Sequence, residues 1–408
     1  MNPLRWLSRL FLGRLMLLPR AMWALFAIQV IIRGGDFVFP FLTLFLTRKL
    51  GLDGEAAGFW VMASVLSGIL GTMAAGKVSD HLGRKRVLAG CMVGACLLTG
   101  VCGWFGPSML VPRVLVAASF FQGAMRPIIA ALVMDLCPAD QRREGYSLSY
   151  LGINLGLAFG PMLAGFLFER HLPWTFFGYA LAMLGAIAIL ARMVPRDLPE
   201  YRARAVHDPA GNALRAFLGR PALVAYSLIS LFVSFAYAQT GFGLTLYTSE
   251  LFGVRGAPVF GLLMSFNAVV VLALTTFLTA LTRRLTGPLV MGIGTALYSV
   301  GFGMMAFRLN LRLLLLSTLI WSVGEVLLFI NTGAYIAEHT PEHLRGRFQS
   351  ICEVMSSAGR ILSPMVFGAV IGALGVRTAW MITALVTVAC TAAFHAWDAR
   401  EIGYSVAK

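Results

Sequence analysis

Twelve long apolar runs constrain the fold of this chain more than any other feature of its sequence. A helix needs about 20 residues to cross the roughly 30 Å of hydrocarbon in a bilayer. Runs of about that length, bounded by charge, Pro or Gly, occur at 22–46, 56–76, 87–105, 109–135, 145–168, 174–194, 222–248, 256–282, 287–307, 312–338, 348–372 and 377–396. Backbone groups in lipid must be satisfied by helices or a closed barrel. The runs are about twice as long as barrel strands and lack their alternating polarity. The sequence therefore predicts an all-α polytopic membrane protein with twelve transmembrane helices.

The longest polar stretch, residues 195–221, lies between the sixth and seventh runs. It predicts a cytoplasmic linker between an N-terminal six-helix bundle at 22–194 and a C-terminal one at 222–396. Residues 397–408 are then a short cytoplasmic tail.

Residues 1–21 place four arginines among Leu, Phe and Trp. This pattern predicts a cytoplasmic amphipathic segment that lies on the inner leaflet. A cleaved signal peptide is the alternative. It is disfavoured because the arginines interrupt the apolar run and no small-residue cleavage site follows.

The charge of +15 appears at odds with a chain that is 58% apolar, until the 33 Lys and Arg are sorted by side. With the N-terminus in the cytoplasm, 22 of them face the cytoplasm, 7 face the opposite side and 4 lie within runs. This asymmetry follows the positive-inside rule and predicts that both termini are cytoplasmic. The basic excess is then topogenic, and it does not indicate a nucleic-acid partner.

The two halves resemble each other at an offset of about 203 residues. The matched pairs are Asp135 with Glu338, Pro138 with Pro341, Arg142 with Arg345, Ser147 with Ser350, Gly156 with Gly359, Pro161 with Pro364, Gly165 with Gly368, and Gly58 with Gly261. A run of pairs at one offset indicates an internal duplication. Two parallel six-helix halves related in this way are a known transporter plan, with the substrate between them near the midplane.

The stretch GKVSDHLGRKRV at 76–87, between the second and third runs, resembles the loop signature of the major facilitator superfamily. The matching residues are Gly76, Asp80, Gly83, Arg84 and Lys85. The resemblance covers essentially the whole chain. It implies two pseudo-symmetric six-helix bundles that move a small molecule by alternating access, in the inner membrane of a bacterium.

The fifth run, GLAFGPMLAG at 156–165, is similar to the helix-five motif of the drug:proton antiporter branch, as is the first run with Pro40. The matching residues of helix five are Gly156, Gly160, Pro161 and Gly165. One position departs from that branch: Ser119 stands where an Arg usually precedes the pair Gln122-Gly123. Arg126, one turn later, is a candidate substitute.

The loop signature is interpreted as a conformational latch. Gly76 and Gly83 suit a short tight loop, and Asp80 suits the positive end of a helix in the other half. Arg84 is expected to pair with Asp135, whereas Lys85 is equally well explained as a topogenic charge. In helix five, the glycines allow close packing and Pro161 predicts a kink. Sealing of the seam between the halves and generic small-residue packing remain alternatives for this helix.

Ionisable residues inside a membrane span are costly and are functional candidates by default. Those near the middle of runs are Arg33, Asp36, Arg126, Glu325 and Arg360, and Glu353 lies nearer an end. Arg33 and Asp36, three residues apart, are expected to share a helix face. The repeat places Glu325 opposite Gln122. In the family plan, spans one, four, seven and ten line the cavity. The residues expected to converge there are Arg33, Asp36, Gln122, Arg126 and Glu325.

Glu325 is the leading candidate for the proton carrier because its own helix offers it no nearby Arg. Asp36 is equally consistent with proton coupling and with an ion pair to Arg33. Arg126 is expected to hold an anionic substrate group or to pair with Glu325. Arg360 and Glu353 fall on a peripheral helix and are interpreted as structural.

The sequence thus favours a proton-coupled exporter of amphipathic or organic compounds, of the multidrug type. The alternative is a symporter or facilitator that imports a small organic anion bound by Arg33 and Arg126. The expected partners are a small-molecule substrate, protons and membrane lipid, without nucleic acid, and the chain is expected to be a monomer. The sequence contains no nucleophile constellation, metal cluster or nucleotide motif that would predict an enzyme or a cofactor. The expected driving force is the proton gradient.

Overall fold

The computed structural model describes residues 18–138, 141–195, 211–282, 284–340 and 345–406. The described residues are almost entirely helical and contain no strand. Most of the predicted amphipathic segment 1–21, the middle of the linker at 196–210 and the last residues of the tail lie outside them. The all-α membrane fold that the sequence predicts is confirmed.

Eleven described segments are long and apolar enough to cross a membrane. One of them, Pro221–Thr275, has 55 residues, which as a helix would measure about 80 Å, far more than the hydrocarbon thickness. It therefore holds two spans, and the segments account for twelve. We number the spans one to twelve: Arg20–Lys49, Gly54–Leu82, Arg84–Phe105, Leu110–Leu136, Arg142–Arg170, Leu172–Met193, Pro221–Tyr237 with Gly243–Phe252, Gly256–Thr282, Gly287–Met304, Leu311–Glu338, Arg345–Leu374 and Val376–Val406.

Spans one and seven are broken helices, which the sequence analysis did not anticipate. The helix of span one ends at Gly34, and regular structure resumes as a 3-10 turn at Phe39–Phe41. The first helix of span seven ends at Tyr237 and is followed by a 3-10 turn at Ala238–Thr240. The two breaks lie at corresponding positions of the repeat, since Asp36 and Gln239 are 203 residues apart. Paired interruptions of this kind mark binding regions in transporters with repeats.

The break in span one corrects the prediction that Arg33 and Asp36 share a helix face, because the helix ends between them. Gly34 and Gly35 both lack a side chain and weaken a helix. A Cβ on Gly35 would lie 2.3 Å from the Cβ of Ala182, so this position accepts only glycine at its present approach to span six.

Two compact units emerge from the contacts within the chain. The first comprises Met1–Leu42 and Ala63–Val206, and the second Thr43–Met62 and His207–Lys408. In the first unit, span one packs on span five, and span three on spans four and six. In the second unit, span seven packs on span eleven, and span nine on spans ten and twelve. The same helix pairings therefore recur at the repeat offset. The bundle bounds drawn from the sequence stay predictions.

Two segments outside the predicted transmembrane runs are helical. Span twelve continues to Val406, past the predicted end of its run at 396. The end of the linker forms the short helix Gly211–Leu218, whose buried Phe217 packs edge-on against Phe348, with ring centroids 5.3 Å apart. Arg220 then donates to the His339 carbonyl at 2.8 Å. This part of the linker is thus fastened to the second unit.

Candidate functional site

Glu325 lies in the middle of span ten and is held by side chains from two other spans. The Tyr237 hydroxyl donates to Glu325 Oε1 at 2.6 Å, and Asn267 Nδ2 donates to Glu325 Oε2 at 2.8 Å. Tyr237 is the last residue of the first helix of span seven, and Asn267 lies in span eight. Each carboxylate oxygen therefore has a neutral donor, and the described residues place no cation within ion-pair distance of Glu325.

Asp36 lies in the break of span one, where it does not form a close ion pair. Its Oδ1 accepts a hydrogen bond from the Phe39 backbone N–H at 3.4 Å, at the start of the 3-10 turn. Arg33 is close enough to act on Asp36 electrostatically, but among the described residues no contact within 4.0 Å joins the two side chains. Arg33 Nε is buried without a hydrogen-bond partner. The predicted ion pair is therefore not formed at contact distance.

Gln122 of span four donates through Nε2 to the hydroxyl of Tyr179 at 2.6 Å. Tyr179, a buried residue of span six, also lies within electrostatic range of Asp36 and Arg33. Arg126 is exposed on span four. The structure thus places Arg33, Asp36, Gln122 and Arg126 in the first unit, and Glu325 in the second.

The helix-five glycines pack against the end of the broken helix in span one. A Cβ on Gly156 would lie 2.7 Å from Arg33 Cβ and from the Val30 carbonyl, and one on Gly160 would lie 2.8 Å from the Gly34 carbonyl. Gly165 and Pro161 are buried in the same helix. These contacts lie within the first unit, so the proposed sealing of the seam between the halves stays a prediction.

The second unit repeats this arrangement with one chemical difference. A Cβ on Gly359 would lie 2.1 Å from the Leu231 carbonyl. Ser363, which corresponds to Gly160, donates to the Phe235 carbonyl at 2.7 Å and accepts a hydrogen bond from Gln239 Nε2. Span seven is thus tied to span eleven at its break by neutral groups, at the position where span one carries Asp36.

The glycine of the Gln122-Gly123 pair is explained by a close helix crossing. A Cβ on Gly123 would lie 1.8 Å from the Gly68 carbonyl oxygen of span two. Thr72 of span two donates to the Gly123 carbonyl at 2.9 Å. Ser119, at the position where the related branch has Arg, is buried and donates to the Leu115 carbonyl at 2.8 Å.

The loop between spans two and three, which carries the loop signature, is shorter than the sequence predicts. Span two stays helical through Gly76 to Leu82, so only Gly83 interrupts the chain between spans two and three. Gly83 has φ 92°, a left-handed conformation that favours glycine. The prediction of a tight-loop glycine therefore applies to Gly83 and is wrong for Gly76. The side chain of Asp80 lies outside the described part of the structure, so its latch role stays a prediction.

Arg84 and Lys85 both make specific contacts. Arg84 Nη1 contacts Asp135 Oδ2 at 2.5 Å and donates to the Ala131 carbonyl at 2.7 Å. Lys85 Nζ donates to the Val194 carbonyl at 2.5 Å, next to the last turn of span six. A cation at a helix C-terminus is favoured by the helix dipole. The adjacent Arg86 is exposed.

We expect Arg84→Ala to destabilise the protein by about 1–2 kcal/mol, because it removes a charge-assisted hydrogen bond to Asp135. The side chains of Arg84 and Asp135 are each only about one-fifth exposed. Thermal unfolding of the purified variant in detergent measures this loss. Arg86→Ala is the matched control and should unfold like the unmodified protein. Equal losses in the two variants would mean that the contact with Asp135 adds nothing beyond surface charge.

Sequence reasoning missed Asn267 and Tyr179 as site residues. Asn267 interrupts an otherwise apolar run, and an amide inside a membrane span normally hydrogen-bonds across helices, so the signal was present. Arg360 and Glu353, interpreted as structural, form a contact of 2.5 Å with each other on span eleven.

Comparison with known proteins agrees with this architecture. The sequence profile of the Major Facilitator Superfamily matches residues 24–289 and 256–403. The chain belongs to the Major Facilitator Superfamily. Its members are transporters, so the protein is a multi-pass membrane transporter of small molecules and not an enzyme.

Three relatives illustrate the range of this superfamily. An uncharacterised MFS-type transporter of Bacillus subtilis, YqjV, is 26% identical over 357 residues, covering 82% of each chain. A Na(+), Li(+), K(+)/H(+) antiporter of Planococcus maritimus is 21% identical over 80% of this chain and 84% of its own. The quinolone resistance protein NorA of Staphylococcus aureus is 27% identical over 47% of this chain and 46% of its own.

A solved structure shares the fold. The crystal structure of the nucleoside transporter NupG superposes with a TM-score of 0.76 and 18% sequence identity, covering 92% of this chain and 98% of that one. At this sequence identity, the similarity shows only that the two proteins share a fold.

Proposed function

We propose that this transporter exports amphipathic or organic compounds by exchange for protons, through alternating access. The observation that carries the proposal is Glu325, a carboxylate at the centre of a membrane span whose contacts are the neutral donors Tyr237 and Asn267. A carboxylate in such a place has no topological role, and no cation among the described residues neutralises it, so it is suited to exchange a proton. Protonation also removes the cost of a charge in a dry environment.

Two relatives support this direction. One is named as an antiporter with H(+), and another as a quinolone resistance protein. We extend to this chain the exchange for protons and the export of an organic compound, with Asp36 as a second candidate for the proton. The drive is then the proton gradient, without a cofactor. The chain works as a monomer in the bacterial inner membrane, with both termini in the cytoplasm.

A second candidate function is import of a small organic anion. Arg33 favours it, because its Nε is buried and has no hydrogen-bond partner among the described residues. A buried guanidinium donor without a partner is costly and would be satisfied by an anionic ligand. In this case Arg33 and Arg126 bind the anion.

A panel of substrates in proteoliposomes, with and without an imposed pH gradient, separates the two functions. Export by proton exchange predicts that lipophilic compounds accumulate against their own gradient only when the pH gradient is present. Import of an anion predicts uptake of organic acids that is lost in Arg126→Ala. If the transport of every substrate were the same with and without the pH gradient, the proposed proton exchange would be contradicted.

A further inference from the structure

The hydrogen bonds around Glu325 have a direction that the chain fixes. Ser322 donates its hydroxyl hydrogen to the Thr318 carbonyl at 2.6 Å, so its oxygen is left as an acceptor. Asn267 approaches both Ser322 Oγ, at 2.9 Å, and Glu325 Oε2, at 2.8 Å. Only the amide nitrogen has hydrogens for two acceptors. When Glu325 is ionised, the opposite orientation would turn the amide oxygen toward two oxygens without a donor, so the orientation follows from the network.

The two oxygens of Glu325 therefore differ in what they can do. Oε2 faces an N–H donor that has no lone pair to offer, so a proton placed between Oε2 and Asn267 Nδ2 would displace this hydrogen bond without replacement. Oε1 faces the Tyr237 hydroxyl, which can rotate and either donate or accept. A proton on Oε1 keeps both hydrogen bonds, because the new O–H donates to Tyr237 while Oε2 continues to accept from Asn267.

We propose that Asn267 and Tyr237 are positioning residues that direct the transported proton to Glu325 Oε1. This inference rests on the proposed function, in which Glu325 carries the proton. Uptake of the proton reverses the hydrogen bond between Glu325 and Tyr237. The Tyr237 hydrogen must then turn toward another acceptor or toward water.

The reversal takes place at the break in span seven. Tyr237 is the last residue before the 3-10 turn at Ala238–Thr240, and two residues later Gln239 is tied to Ser363 of span eleven. The break is therefore attached to span eleven by a neutral amide and to span ten by a carboxylate. Only the second attachment changes with protonation, so the proton acts directly on the end of this helix.

Within the part of the chain that the structure describes, few other groups near Glu325 respond to pH. Tyr298 of span nine lies within electrostatic range of Glu325, and its ring stacks on that of Tyr237 with centroids 6.1 Å apart. From span eight the contact is the neutral Asn267. On span eleven, Arg360 and Glu353 are paired with each other, and neither is among the groups that act on Glu325.

The test is a pH titration of the purified protein by infrared difference spectroscopy, in which the carboxyl band that Glu325→Gln abolishes identifies Glu325. Tyr237→Phe removes the donor that stabilises the charged form, so the midpoint of this band should move to higher pH by about one unit or more. Asn267→Ala removes the donor to the carbonyl oxygen of the protonated form, so the band should move to higher wavenumber. Asn267→Leu serves the same purpose if the alanine variant does not fold.

Tyr226→Phe is the matched control. Tyr226 lies on the same helix, and its hydroxyl reaches span ten at Thr332 Oγ1, 3.2 Å away, which is not a titratable group. This variant should keep the unmodified midpoint and wavenumber. An unchanged midpoint in Tyr237→Phe, an unchanged band in Asn267→Ala, or a titration in which Glu325→Gln abolishes no carboxyl band would each overturn the inference.

Transport measurements keep the two proposals apart. Loss of gradient-driven transport in Glu325→Gln together with an unshifted Tyr237→Phe titration would refute the positioning roles and leave the proposed function standing. A shifted titration with undiminished coupled transport in Glu325→Gln would refute the role of Glu325 as the proton carrier of the proposed function and leave the hydrogen-bond geometry around it intact.

Discussion

Glu325→Gln is expected to reduce gradient-driven transport to the level of protein-free liposomes. Glutamine keeps the size of the side chain and can still accept from Asn267 and meet Tyr237, so the packing around span ten should survive. It cannot take up or release a proton, so substrate movement loses its coupling to the pH gradient. Downhill exchange of substrate without an imposed gradient should continue. The measurement is transport in proteoliposomes with and without a pH gradient, on protein that elutes as a single species in detergent.

Two further carboxyl variants complete this experiment. Asp36→Asn keeps an oxygen that can accept from the Phe39 N–H, so it removes the charge at the break of span one without removing the hydrogen bond. We expect it to impair coupling as well. Glu353→Gln, on the side chain paired with Arg360, is the control and should transport normally. Undiminished gradient-driven transport in both Glu325→Gln and Asp36→Asn would contradict the coupling mechanism.

Gly123→Ala is expected to destabilise the protein by about 3 kcal/mol or more, at the upper end of the cost of overpacking. Its Cβ would lie 1.8 Å from the Gly68 carbonyl oxygen. The obstacle is backbone, which cannot rotate away as a flexible side chain would. Spans two and four would have to separate, with loss of the hydrogen bond from Thr72 to the Gly123 carbonyl. The yield of monodisperse protein and the midpoint of thermal unfolding in detergent report this loss.

Gly90→Ala is the matched control for the same chemical change. Gly90 lies in span three, and a Cβ there would meet nothing within 4 Å. Replacing a helical glycine at such a site should leave the stability unchanged or raise it by about 0.5–1 kcal/mol, because alanine loses less conformational freedom on folding. Wild-type stability in Gly123→Ala would show that spans two and four do not cross as closely as described.

The loop signature and helix five show how far motifs alone could lead. The pairing of Arg84 with Asp135 was predictable, because both residues lie near the ends of adjacent spans and carry opposite charge. The contact between Lys85 and the end of span six was not, since its partner is a backbone carbonyl that carries no residue-specific signal. Gly156 and Gly160 were recognised as packing residues, but the helix that they contact was not identifiable from their spacing.

The sequence by itself determined the membrane fold, the number of spans, the internal repeat and the few charges inside the membrane. Each of these depends on local hydrophobicity or on composition at fixed spacing, which the chain carries whatever its packing. The tertiary structure alone decided that spans one and seven break at corresponding positions, and that Asn267 and Tyr237 hold Glu325. A break depends on side chains and carbonyls of neighbouring helices that replace lost backbone hydrogen bonds. A polar cluster depends on which helix faces meet. The periodicity of a single span therefore predicts neither the helix breaks nor the polar cluster around Glu325.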